Sequence, residues 1–223
     1  MKVVAVSGWK FSGKDTVANY LVDNHGYKRV SFADPLKDMV AEQFSIPRNY
    51  LDDPMYKESP LFQYPAPATD GFTSMISNFI VREFRTEDGF PADVKSLRNQ
   101  EGILQTFLNG WENLYHTPRS LAILVGSGMR SGDPSFWVNK AIKTMLINNN
   151  QNYVISDLRY RSEVGNLLKA FGKDLVTIRV NRFDASPSTD PSENDLNEWL
   201  FDFHVTNKGT KEELFTHIKQ LLS

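Results

Sequence analysis

The 223 residues carry 25 Lys and Arg against 27 Asp and Glu, a formal charge of −2, so the basic excess of a protein that lives on nucleic acid is missing. The absence of cysteine excludes disulfides and thiolate metal sites and suits a reducing cytosol. An aromatic content of 12% argues against large-scale disorder, the length suffices for one sizeable core, and no stretch approaches a membrane span.

The chain opens on Val3 to Val6, a short apolar, largely β-branched run that reads as a strand buried on both faces. A glycine-bearing loop follows, then apolar residues at helical spacing from Thr16 to Asn24, with Gly26 as the stop. Lys28 to Phe32 reads as a second strand, and Asp34-Pro35 as the cap and first turn of a helix to about Phe44. From about 46 to 118 the texture changes: seven prolines with scattered aromatics and no clear period predict an inserted lobe.

Regular order returns at Leu121 to Val125 and in a helix from about Ser135 to Ile147. Tyr153 to Ser156 predicts a strand, Ser162 to Phe171 a helix ended by Gly172, and Asp174 to Val180 a further strand. A polar segment, about 182–195, predicts an exposed, lid-like loop. A last strand at Phe203 to Thr206 and a helix from Lys211 to Leu222 complete an alternation that calls for a parallel sheet covered on both faces.

Gly8 to Lys14 has the spacing G-x-x-x-x-G-K, and it falls between the first strand and the first helix, where a phosphate-binding loop has to sit. Inward backbone N–H groups and the positive end of the helix behind them hold a polyphosphate with little side-chain ordering. Lys14 would reach the β- and γ-phosphates. Asp15 stands where Ser or Thr usually follows the lysine, and Thr16 comes next. The Asp15 carboxylate suits Mg²⁺ directly or through water, and the Thr16 hydroxyl suits the metal or the α-phosphate.

Gly8 to Thr16, read as G-x-K-x-S-G-K-D-T, followed by Phe32-Ala33-Asp34-Pro35-Leu36-Lys37, resembles the phage-type deoxynucleoside monophosphate kinases. Three later segments extend the resemblance: Gly126 to Arg130 with Asp133 to Val138, Ile155 to Glu163, and Asp202 to Gly209. The resemblance implies an α/β fold of the P-loop nucleoside monophosphate kinase kind, with a five-stranded parallel sheet, and one domain spanning 1–223 with an inserted acceptor or lid lobe. It also implies ATP and Mg²⁺ as cofactors and conversion of a deoxynucleoside monophosphate to the diphosphate, with neither nucleic acid nor membrane as a partner. A homodimer is compatible with the sequence.

On that basis Gly8, Ser12, Gly13, Lys14, Asp15, Thr16 and Asn207 are ATP-site candidates, with Asn207 against adenine. Lys37, Arg130, Trp137, Asp157, Arg159 and Glu163 are acceptor-site candidates. Lys10, Lys14, Arg130 and Arg159 are the candidates to act on the transferred group, because phosphoryl transfer asks mainly for positioning and cations around the equatorial oxygens.

Each assignment has a structural alternative. Asp157 could assist Mg²⁺, orient Arg159 or cap the helix beginning near Tyr160. Trp137 could stack on the acceptor base or lie in the core. Asn207 could form an Asx turn with Gly209. Arg179 and Arg182 could close a loop over ATP or pair with Asp184 or Asp190 at the surface. Where relatives often have a Gly-Thr-Asp turn, this chain has Gly126-Ser127-Gly128. The four histidines show no metal-ligand spacing. A kinase for another small phosphorylated metabolite or modified nucleotide, and an inactive nucleotide-binding module, are the competing readings.

Overall fold

The computed structural model describes residues 1–61, 117–182 and 194–222, together with 77, 78, 80, 82, 102–105, 107 and 109. Most of the expected lobe and of the 182–195 loop therefore lies outside the described residues. The chain forms two compact units, Met1–Ala33 with Val138–Ser223, and Asp34–Trp137.

The first unit is built on five parallel strands, β1 (Val3–Ser7), β2 (Lys28–Val30), β3 (Tyr153–Ile155), β4 (Leu175–Asn181) and β5 (Phe203–Thr206), in the order β2-β3-β1-β4-β5. All five residues of β1 are buried, as its apolar run predicts for a central parallel strand. Register pairs Val4 with Val154 and Val176, and Val6 with Ile178, so one face presents a continuous valine and isoleucine surface.

Helix α1 (Lys14–His25) covers that face with Val17, Ala18 and Leu21, and the C-terminal helix (Lys211–Leu222) adds Leu214 and Ile218. Each fully buried aliphatic side chain contributes roughly 1.5–3 kcal/mol by leaving water. Gly26 ends α1 at φ 67°, a left-handed geometry that only glycine adopts cheaply. A helix at Arg161–Phe171 packs on β4 and buries Val164, Leu167 and Phe171, and Gly172 ends it as expected.

Helix α2 (Ala33–Phe44) starts one residue before the predicted Asp34 cap. The Asp34 side chain is not the cap: it pairs with Arg48 at 3.3 Å, and the Ser31 hydroxyl accepts from Ala33 N–H at 3.1 Å. In the second unit, residues 121–125 belong to α3 (Pro118–Gly132), whose start is fixed by Thr117 and Ser120 in a reciprocal capping box with Pro118 at the first position. The Gly126-Ser127-Gly128 turn expected from relatives is therefore helix interior here. A Cβ at Gly128 would stand 2.6 Å from the Phe107 ring and one at Gly126 would stand 3.1 Å from Leu36, so close packing is what these glycines permit. Helix α4 (Phe136–Ile147) follows Asp133-Pro134 as predicted. Among the described residues no helix is long and apolar enough to cross a membrane.

Candidate active site

In open parallel sheets the crevice for ligands lies beyond the carboxyl ends of the strands, where the chain order reverses. Here β1 stands between β3 and β4, and the loop Gly8–Gly13 leaves its carboxyl end. Just past each of the other strands comes a pocket residue: Ser31 after β2, Ser156 and Asp157 after β3, Arg182 after β4 and Asn207 after β5. With the glycine loop and the first turn of α1 they enclose about 640 Å³. Six basic side chains line it, Lys10, Lys14, Arg29, Arg159, Arg182 and Lys211, against the carboxylates of Asp15 and Asp157. A chain of net charge −2 thus concentrates positive charge in one concavity.

The loop's shape follows from its glycines. Gly8 has φ 155°, and a Cβ there would lie 2.7 Å from the Val180 carbonyl oxygen; Gly13 has φ 101°, and a Cβ there would lie 2.4 Å from Asn207 Nδ2. Gly13 is also the N-cap of α1 and has no side chain to accept from the first helical amides. Those amides and the helix dipole make a ready anion site. Ser12 N–H donates to Trp9 carbonyl at 3.0 Å, tightening the loop, and Phe11 takes φ 66° at its exposed tip. Two buried polar atoms of the loop, Ser12 Oγ and Trp9 Nε1, have no hydrogen-bond partner among the described residues. Buried polar groups are otherwise almost always paired.

The Lys14 ammonium donates back to Trp9 carbonyl at 3.3 Å, and the Lys10 ammonium lies 5.1 Å from the Phe11 ring centroid. Asp15 forms an ion pair with Arg29, which also donates to Asn19 Oδ1 at 3.0 Å. Thr16 lines the same wall. One carboxylate and one hydroxyl on adjacent residues of the pocket wall fit Mg²⁺, which binds through one or two carboxylates together with phosphate oxygens.

Asp157 is partly buried and accepts three hydrogen bonds, from Ser31 Oγ at 2.6 Å, Phe32 N–H at 3.1 Å and Ala33 N–H at 3.2 Å. Burial raises its pKa above the ordinary carboxylate value, although these bonds and the charge of Arg159 oppose the shift. It is therefore not the cap of the helix at 161–171 that one reading allowed; it holds the start of α2 from the end of β3.

Glu163 performs the nearer capping. Buried, it accepts from Arg159 N–H at 2.8 Å and Tyr160 N–H at 2.9 Å. Glu163 is absent from the wall of this pocket.

Asn207 forms no Asx turn with Gly209: its side-chain amide donates to the Ser12 carbonyl at 2.8 Å. Arg179 is not a surface arginine beside a loop either. Only 7% exposed, it lies in β4, donates to Ser7 Oγ and Asn197 Oδ1, and sits 5.8 Å from both the Trp9 and Phe201 rings. Arg182 lines the pocket, whereas Asp184 and Asp190 lie outside the described residues.

The remaining candidates belong to the second unit. Lys37 donates to Asp52 Oδ1 at 2.8 Å, and Arg48 joins Asp34, Asp38 and Asp52. Burial pushes the Asp52 carboxyl up, but the hydrogen bond from Lys37 and the charges of Lys37 and Arg48 outweigh it and hold the carboxyl below its ordinary value. Arg130 lies in the last turn of α3. Trp137 is 3% exposed, packs edge-on to Phe136 and donates from Nε1 to Gly126 carbonyl at 3.1 Å. The Trp137 side chain is thus buried among the described residues.

Sequence reasoning missed Arg29, Ser31 and Lys211 on the pocket wall. Arg29 and Ser31 follow the rule that strand ends face the crevice, and that rule was the signal available for them. Lys211, at the start of the last helix, carried no motif.

The strand order, the glycine loop between β1 and α1, and the basic crevice define a P-loop fold of the nucleoside monophosphate kinase kind. A family model described as deoxynucleotide monophosphate kinase matches residues 2–59. Over 241 aligned positions, 100% of this chain and 99% of the relative, the chain is 24% identical to a deoxynucleotide monophosphate kinase of Enterobacteria phage T4. It is also 48% identical over 44 residues, 20% of this chain and 23% of the relative, to a protein of Acanthamoeba polyphaga mimivirus named putative deoxynucleotide monophosphate kinase. The resemblance to the phage-type deoxynucleoside monophosphate kinases is borne out, and a nucleotide kinase function is supported.

Proposed function

We propose that the chain transfers the γ-phosphoryl group of ATP to the phosphate of a deoxynucleoside monophosphate, with Mg²⁺ as the metal. The observation that carries this reading is the set of six basic side chains gathered around a glycine loop at the head of α1. In the reaction an acceptor phosphate oxygen bonds to the γ-phosphorus while the bond to the β,γ-bridging oxygen breaks, and ADP leaves. That oxygen is already ionised, so the site needs no strong general base.

The loop amides hold the donor's phosphates, and Lys14, leaving the Trp9 carbonyl, meets the β- and γ-phosphate oxygens. Lys10 and Arg159 offset charge on the group in flight. Asp15 and Thr16 would hold the metal, which when bound neutralises phosphate charge and orients the donor. Lys37 and Arg130 are acceptor-side candidates on the resemblance alone. Incubation with ATP, Mg²⁺ and each of the four common deoxynucleoside monophosphates tests the proposal. A diphosphate from at least one is expected, and no turnover of any would sink it.

A further inference from the structure

The Ser12–Gly13 peptide sits at the turn from the glycine loop into α1. Its carbonyl oxygen accepts from Asn207 Nδ2 at 2.8 Å, a contact between residues 195 apart in sequence. The approach is close: a single added carbon on Gly13 would come within 2.4 Å of the same amide nitrogen. Asn207 is held in turn, since its backbone N–H donates to Asn181 carbonyl at 2.8 Å at the end of β4. The Ser12 hydroxyl, buried without a hydrogen-bond partner among the described residues, does not share this work.

A trans peptide is planar, with its C=O and N–H pointing in opposite directions, and no cis bond is present among the described residues. Whatever fixes the Ser12 carbonyl therefore also fixes where the Gly13 N–H points. Gly13 lines the pocket, and its amide is one of those that a phosphate oxygen would meet at the head of α1.

We infer that Asn207 is a positioning residue for the phosphate-binding loop, acting through the Ser12 carbonyl to aim the Gly13 amide, rather than a residue that reads the adenine base. The inference rests on the proposed nucleotide site and specifies how that site is held. A base contact and a loop brace part company on a ligand with no base. A brace serves the phosphates of any donor, so its loss weakens inorganic tripolyphosphate as much as ATP.

Calorimetry with Mg²⁺-ATP and with Mg²⁺-tripolyphosphate on wild type, Asn207→Ala and Asn207→Leu separates the two. Asn207→Leu keeps the approximate size of the side chain and removes the donor without adding charge, so it carries the same test should the alanine variant not fold. The expected result is a loss of roughly three- to tenfold, the size of one hydrogen bond, and equal for both ligands. The KM for the deoxynucleotide should stay unchanged. A loss confined to ATP would overturn the brace in favour of a base contact, and unchanged affinity for both would overturn it outright. Wild type binding neither ligand would overturn the functional proposal, and this inference with it.

Discussion

Replacing Asp157 with alanine removes the acceptor for the Ser31 hydroxyl and for the amides of Phe32 and Ala33. Three hydrogen bonds to a charged acceptor are worth roughly 4.5–9 kcal/mol in total, taking about 1.5–3 for each. The raised pKa shows that burial of the ionised form takes part of this back, and because the site is partly buried water can reach some of the freed donors. A net loss of about 2–4 kcal/mol remains, which for a chain of this size lowers Tm by roughly 4–16 °C. Thermal and urea unfolding of wild type and Asp157→Ala at pH 7 measure it.

The pH dependence supplies a second, signed test. A carboxyl whose pKa is higher in the folded state than in the unfolded state binds more protons when folded, throughout the window between the two values. Its contribution is full below the unfolded value and is lost as pH rises through the folded one. Asp157→Asn, which does not titrate, should lack that decline. An alanine variant within about 0.5 kcal/mol of wild type, or parallel pH profiles for wild type and Asp157→Asn, would refute the reasoning.

Lys14→Ala should lower kcat on the order of a hundredfold or more while Tm stays near wild type; near-normal turnover in a steady-state assay would remove Lys14 from the proposed chemistry. Gly128→Ala puts a methyl group into the Phe107 ring, so it should destabilise by about 1–3 kcal/mol by urea unfolding despite alanine's better helix propensity. Asp52 has the opposite sign to Asp157. Its depressed pKa gives stability that is present above the ordinary carboxylate value and lost as pH falls through the lowered one, so Asp52→Asn should flatten the acid limb of the stability profile.

The sheet and its helices were legible because apolar runs and glycine stops act locally: Val3 to Val6, Gly26 and Gly172 mark element bodies and ends without help from distant residues. The glycine loop was legible for the same reason. Residues 117–120 also carry a readable start signal, a capping threonine before Pro118.

What could not be read is the partner of a polar side chain. Glu163 accepts from the amides of Arg159 and Tyr160, partners that its place in the motif does not name. Trp137 donates to the Gly126 carbonyl, a partner that no spacing rule singles out. Asp157 and Asn207 meet residues more than a hundred positions away, a distance over which spacing rules are silent.

The bond between Asn207 and Ser12 also bears on biosynthesis. As the chain leaves the ribosome, the first strand, its loop and the helix behind it emerge nearly two hundred residues before the group that steadies them. The neighbours of that first strand, at 153–155 and 175–181, are late as well. Closure of so long a loop is slow and costly in entropy, so nascent intermediates should carry an unfinished loop until the end. A fragment stopping short of position 207 would lack the tie, whatever the rest of its sheet had achieved.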